Sequence, residues 1–214
     1  MELDPATLSI PDRYKLLTGA ILPRPIALVS TIDSQGRTNV APFSFFAGVG
    51  SNPMTLLFCP ATSPDGREND SLANSKPPAE GGTGEFVVNV VSDSFVRRAI
   101  ATSEPLPHGT SEFDAVGLTT APSRLVRAPR VAEAMFAFEC RTLQVIRTNA
   151  GAPSSGNIVL GQVVHVYASD SIINAKLHVD PAALDAVGRM GGTAYCHTRD
   201  RFDVPLGLAA LKAP

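Results

Sequence analysis

The sequence predicts a mostly β, antiparallel fold with a few short helices. Its apolar residues gather into short runs rich in β-branched side chains: "PIALVSTID" (25–33), "MTLLFCP" (54–60) and "EFVVNVV" (85–91), then the two longest, "AMFAFECRTLQVIRT" (134–148) and "NIVLGQVVHVYASD" (157–170). Runs of this length and composition favour strands over helices. Turn residues join them. "DSQGR" (33–37) links the first run to "TNVAPFSFF" (38–46), and "NAGAPSSG" (149–156) links the last two, so both pairs read as hairpins. Strands that do not alternate with long helices argue against a doubly wound parallel sheet and for an antiparallel barrel or sandwich.

The arm that starts at Thr38 carries Pro42 in its interior. Proline cannot donate to a strand ladder, so the arm is expected to bend there, at an edge or bulge. Phe43, Phe45 and Phe46 crowd this place with Ser44 between them. Such a cluster suits either the corner of a packed core or a slot for a flat aromatic ligand.

Helices are expected to be short. One is expected within "PATLSIPDRYKLLTGAI" (5–21) and one in "NDSLANS" (69–75), capped by Asp70 or Ser71. "SDSFVRRAIATS" (92–103) has one apolar face behind a Ser92 or Asp93 cap, and "DPAALDAVG" (180–188) places Pro181 at a first helical position. The stretches 75–84 and 103–114 read as loops. With no repeat, low-complexity tract or linker, residues 1–214 read as a single domain.

Composition narrows the function. The 214 residues are 44% hydrophobic and 18% charged, enough for a substantial core and unlike a disordered chain. A net charge of −2 without a basic cluster argues against nucleic-acid and membrane-surface partners. No apolar run approaches the ~18 residues of a spanning helix. The start, "MELDPATLSIPDRYKLL", lacks the basic and apolar segments of a secretory signal, so a soluble cytoplasmic protein is expected. Cys59, Cys140 and Cys196 lie far apart, which argues against a disulfide framework or a CxxC site; the first two read as buried small hydrophobes. His108, His165, His178 and His197 show no metal-ligand spacing, and His165 reads as a strand residue.

No GxSxG, HExxH or GxxxxGK[ST] occurs, and no GxGxxG follows the first strand, so chemistry is expected from a cofactor. Three places are candidates. Arg67 precedes "NDS" at a helix start, where it and the Ser71 hydroxyl suit a phosphate, or form an ordinary solvated loop and cap. Ser30 and Thr31 offer hydroxyls near a hairpin, or a solvated strand face. In "GRMGGTAY" (188–195), Gly191 and Gly192 let the backbone approach a ligand, or serve a turn with positive φ.

The ordered set "PRPIALVSTID" (23–33), "GRTNVAPFSFF" (36–46), "NPMTLLFCP" (52–60), "RENDSLAN" (67–74), "GEFVVNVV" (84–91) and "GRMGGTAY" (188–195) resembles the flavin reductase-like, FMN-binding split-barrel family, from about Leu16 to Tyr195. The resemblance implies a six-stranded antiparallel Greek-key barrel that binds FMN, with FAD the lesser alternative, at a homodimer interface. It implies that Asn39, Ala41, Pro42 and Ser44 line the ring and ribityl chain, and that Ser30 and Thr31 enter the same slot. Arg67 and Ser71 would hold the phosphate, and Arg189, Gly191 and Tyr195 come from the tail motif. The family often shows Lys-Asp-Thr where this chain has Asn69-Asp70-Ser71; serine keeps the hydroxyl, while the missing lysine shifts the anion grip to Arg67 or weakens it. His165, His178 and Tyr195 are lesser candidates for a nicotinamide-facing role. The implied activity is NAD(P)H-dependent flavin reduction with no catalytic protein residue, the electrons passing to an acceptor or a partner monooxygenase. An FMN-holding electron carrier and a non-catalytic flavin-binding module are the alternatives.

Overall fold

In the computed structural model, which describes residues 1–107 and 110–212, the strands are β1 (Arg24–Pro25), β2 (Ala27–Ile32), β3 (Thr38–Phe43), β4 (Phe46–Ser51), β5 (Met54–Phe58), β6 (Glu85–Val90), β7 (Thr120–Ala121), β8 (Arg130–Val131), β9 (Phe136–Arg147), β10 (Asn157–Ala168), β11 (Val187–Arg189) and β12 (Tyr195–His197). The helices are α1 (Ile10–Ala20), α2 (Asp70–Ser75), α3 (Val96–Ala101), α4 (Glu112–Val116) and α5 (Pro181–Leu184). His108 lies outside the described residues. Among those described, no helix is long and apolar enough to cross a membrane.

The main sheet is antiparallel and runs β3-β2-β6-β9-β10-β5-β4. It has seven strands, not the expected six. The arm from Thr38 is the reason: it stops at Phe43 and restarts at Phe46 on the opposite edge of the sheet. Three residue steps span at most about 11 Å. The two edges must therefore meet at Ser44–Phe45, which rolls the sheet into a barrel. β3 and β4 are not paired with each other, so the barrel is joined at this corner and split elsewhere. The N–H of Cys59 donates to the Phe45 carbonyl at 2.9 Å and pins the corner. The break thus lies beyond Pro42, which sits inside β3 opposite Leu28; in an edge strand its missing N–H removes no ladder bond.

Strand alternation divides the buried residues. Ala27, Val29, Leu56, Phe58, Phe86, Val88, Cys140 and Val159 fill the barrel, and Leu72 of α2 closes one mouth. The Phe43 and Phe86 rings each lie 5.1 Å from Phe58, so Phe43 is core. Cys140 is buried as expected, and burial pushes its thiol far up. Outside the sheet, Leu28, Val40 and Val91 are covered by Phe95, Ala99 and Phe113 from the α3–α4 region. Residues 103–114, expected as loop, contain the start of α4.

A satellite sheet, β1-β11-β12, packs beside the corner. Residues 188–195 form a hairpin whose strands flank Met190–Ala194, and the positive-φ turn considered for the glycine pair lies at its tip. α2 is capped by Asn69, whose side chain accepts from Leu72 N–H at 2.9 Å, rather than by Asp70 or Ser71. α5 starts at Pro181 as expected, under an Asp180 cap.

Gly161 shows how tightly the barrel is filled. An added Cβ would stand 2.4 Å from Cζ and 2.8 Å from Cε1 of Phe86, a fully buried ring. Gly161→Ala is expected to destabilise by about 1–3 kcal/mol, as overpacking does. Urea unfolding checks this: the midpoint should fall with unchanged slope, whereas Gly48→Ala, which meets nothing within 4 Å, should leave it nearly unmoved.

Candidate functional site

The expected site residues fall mainly at two polar places in this apolar frame. One is the barrel mouth under α2. Thr31 and Asn39 are cross-strand partners and so share a face. Asn39 Nδ2 donates to Thr31 Oγ1 at 3.2 Å and to Ser71 Oγ at 2.9 Å, while Asn74 Nδ2 donates to Thr31 Oγ1 at 3.1 Å. All three hydroxyl and amide groups at the centre of this network are buried, so it clamps α2 to β2 and β3. Ser30 lies on the other face. Its hydroxyl donates to the Pro129 carbonyl and accepts from Asn89 Nδ2. The expectation that the Ser30 and Thr31 side chains enter one slot is therefore corrected: the two-residue strand period sends them to opposite faces.

A cavity of only about 40 Å³ adjoins the mouth, lined by Asp33, Arg37, Thr38, Asn39, Asp70 and Asn74. Arg37 is bound to Asp33 at 2.7 Å. Nearby, Glu112 accepts from the Val40 N–H at 3.2 Å. Burial holds its carboxyl above the ordinary value, and the charge of Asp70 adds to the effect. Arg67 stands apart, its side chain 83% exposed and ion-paired to Asp65 at 2.6 Å. Ser63 and Arg67 hold Asp65 down to about 2, so the pair is fully charged at neutral pH. Arg67 is thus oriented by Asp65.

The second place is the Ser44–Phe45 corner. Arg24, 3% exposed, reaches it from β1. Its Nε donates to Ser44 Oγ at 3.2 Å, Nη1 to the carbonyls of Thr18 (2.6 Å) and Ile21 (2.9 Å), and Nη2 to that of Met190 (2.9 Å). This one guanidinium ties the end of α1, the β11–β12 turn and the corner together. Because Ser44 accepts from Arg24, its own O–H proton is left to donate elsewhere. Arg24, Arg189 and Tyr195 are directly opposite one another across the satellite sheet. The Arg189 guanidinium lies 5.0 Å from the Tyr195 ring centre, that of Arg24 5.8 Å from Phe45. Arg189 Nη2 bonds the Gly192 carbonyl at 3.0 Å, and its Nε is buried with no partner.

The glycine pair divides. Gly192 has φ +60°, so the turn itself requires it. Gly191 has no such φ, and an added Cβ would make only ordinary contacts, 3.8 Å from Thr18 O and 3.9 Å from Gly19 Cα. Nothing in the protein demands glycine at 191, whereas a ligand lying against the turn would. Ala41 and Pro42 are half-buried on β3 beside this corner. The structure therefore gathers Pro42, Ser44, Arg189 and Gly191 near one end, and Thr31, Asn39 and Ser71 at the mouth. His165 Nδ1 lies 3.1 Å from the buried Glu139 without hydrogen-bond alignment, and His178 is exposed; neither belongs to these places. A wider concavity of about 1040 Å³, behind β12 and against α3, includes Tyr195 alone of the expected residues.

Arg24 was not among the residues singled out in the sequence. The available signal was a lone cation between two prolines at the entry to an uncharged, largely apolar strand, a position where a charge has to find buried partners.

Residues 19–186 match the sequence profile of the family described as Flavin reductase like domain. Among solved structures, nitrilotriacetate monooxygenase component B from Bacillus cereus is 29% identical, with a TM-score of 0.87 over 95% of this chain and 98% of that one. The 2-nitrobenzoate 2-nitroreductase NbaA of Pseudomonas fluorescens is 28% identical, with a TM-score of 0.81 over 97% of each chain. A Shewanella frigidimarina protein assigned as a flavin reductase with a split barrel domain shares the fold, with 22% identity and a TM-score of 0.77 over 97% and 100%.

Glu112 gives this region a pH signature. Its folded pKa is raised, so its protonated form suits the fold: that contribution is complete below the unfolded value of about 4.3 and is lost as pH rises through the folded value. Glu112→Gln is expected to raise Tm at pH 7.5, with the gain disappearing at pH 4. Thermal unfolding at the two pH values checks it; an equal offset at both would contradict it.

Proposed function

Because the chain belongs to the flavin reductase-like family, we propose that it is an FMN-binding oxidoreductase: NAD(P)H reduces the bound flavin, whose electrons pass to an acceptor or a partner monooxygenase. The observation that carries this reading is the pair of unspent donors at the corner, the Ser44 O–H and the buried Arg189 Nε, beside a turn where a Cβ at Gly191 would make only ordinary contacts. When bound, the flavin supplies the hydride-accepting centre. The protein's own part is to bind and orient. Ser44 and Arg189 offer hydrogen bonds to ring heteroatoms. Ala41, Pro42 and Gly191 keep the walls low, and Tyr195 backs Arg189. Thr31 and Asn39 act one layer below, by fixing α2.

The phosphate end is less complete. Arg67 has to exchange Asp65 for the phosphate, and Ser71, whose oxygen accepts from Asn39, retains only its own proton to donate. The partner monooxygenase follows the likeness to the Bacillus cereus protein, itself by name one component of a monooxygenase. A homodimer accords with α1, whose Ile10, Tyr14, Leu17 and Ile21 form an apolar stripe, each 49–57% exposed.

FMN fluorescence quenching, followed by steady-state oxidation of NADH and NADPH with FMN, tests the activity. No quenching at micromolar FMN and no turnover would sink it. Arg67→Ala is expected to weaken FMN about tenfold or more, the worth of a charge-assisted contact, and to leave riboflavin unchanged. Asp65→Asn, which frees Arg67, should tighten FMN alone. Parallel titrations with the two flavins check both.

A further inference from the structure

Arg24 and Arg189 pose an electrostatic problem that the fold does not solve by itself. They are direct cross-strand neighbours, and like charges in that position repel. Arg24 is almost wholly buried, yet every bond it makes is to a neutral acceptor: three backbone carbonyls and the Ser44 hydroxyl. Arg189 likewise bonds only a carbonyl. Among the described residues neither arginine has a carboxylate partner, although other arginines do, including Arg37, Arg98, Arg147 and Arg199. Buried charge is ordinarily paired. Here two positive charges are cross-strand partners on a small sheet at the edge of the proposed flavin slot, and the buried Arg189 Nε has no hydrogen-bond partner among the described residues.

We propose that Arg24 and Arg189 act together as a fixed positive pair that favours the electron-rich state of the bound ring and so raises its reduction potential. This rests on the flavin-binding reading above and goes beyond it by naming the groups that set the potential. Hydride transfer from a nicotinamide nucleotide moves two electrons and one proton, leaving NAD(P)+ and adding one negative charge to a neutral acceptor. A ring bound at this corner would develop that charge beside the pair, at little reorganisation cost because carbonyls already hold Arg24 in place. Arg24 also has a positioning role. By donating to Ser44 it leaves the serine proton to donate elsewhere, and its charge strengthens that proton as a donor. The two effects separate: Ser44→Ala removes the donor and keeps the charge, while Arg24→Gln removes the charge.

The experiment is a dithionite titration of FMN-loaded protein against a reference dye, with the affinity for oxidised FMN measured separately. The wild type, Arg24→Gln, Arg24→Lys, Arg189→Gln and Ser44→Ala are compared. We expect Arg24→Gln to lower the ratio of reduced to oxidised FMN affinity by tenfold or more, a fall of about 30 mV for a two-electron couple. Arg24→Lys, which keeps the charge, should restore most of it. Arg189→Gln loses a single bond to its own turn and serves if Arg24→Gln does not fold; the same direction of change is expected. Ser44→Ala should change the absorption spectrum of bound oxidised FMN more than its potential. Wild-type potentials in both glutamine variants that still bind FMN would overturn the proposal and leave the flavin reading standing. Equal shifts in Arg24→Lys and Arg24→Gln would overturn the role of charge. A wild type that binds no FMN would remove the flavin reading itself.

Discussion

The two residues between β3 and β4 are the constraint on which the rest depends. The strands they join lie at opposite edges of a seven-stranded sheet. So short a link admits only a rolled sheet, and rolling brings Phe43, Phe58 and Phe86 together in its interior. The same link leaves Ser44 and Phe45 outside the ladder, where Arg24 of β1 meets both side chains. A corner forced by chain length is thus where polar groups can face a ligand without breaking a paired strand.

Arg24 makes that corner rigid. It joins three parts of the fold, the end of α1 through Thr18 and Ile21, the corner through Ser44 and the β11–β12 turn through Met190. A lysine carries the same charge but lacks the planar fork that meets several acceptors at once. The choice of arginine is therefore structural as well as electrostatic. The two demands reinforce each other: carbonyl dipoles offset part of the cost of burying the guanidinium, yet cancel none of its net charge. An ion pair would have satisfied burial more fully and removed the field. At the outer surface the chain does use ion pairs: Arg199 meets both Asp93 and Asp185.

Much of the fold was legible in sequence because local pattern and tertiary place agree. The runs at 54–60, 85–91, 134–148 and 157–170 became β5, β6, β9 and β10 with ends displaced by only a few residues. What was not legible depends on long-range closure. "TNVAPFSFF" reads as one arm, and only the need to reach β5 splits it. Proline drew attention to position 42, but an edge strand tolerates proline, and the break fell where Ser44 and Phe45 span the gap. The hairpin of β11 and β12 was hidden because strands of three residues carry almost no periodic signal. Ser44, Arg189 and Gly191 were named from sequence and the fold brings them to one corner, whereas Ser30 was misplaced by neglecting alternation. Arg24 was passed over because a charge at a strand entry usually means exposure; its burial is visible only once α1 and the β11–β12 turn have folded over it.

The two ends of the proposed slot differ in how finished they are. At the corner, carbonyls, a guanidinium and a serine are already fixed, so binding there orders little. At the α2 end the expected anion contact is exposed and committed to Asp65, while Ser71 and Asn39 are spent on one another. A ligand with a flat ring and an anionic tail would find its ring site ready and its tail site in need of an exchange of partners. That division places most of the selectivity for the ring in rigid structure, and leaves the phosphate as an adjustable contribution governed by one surface ion pair. Exposed pairs of this kind contribute little, so the exchange is cheap. On the proposed reading the missing lysine in Asn69-Asp70-Ser71 is then tolerable: Arg67, on its exposed loop, would leave Asp65 for the anionic tail at small cost.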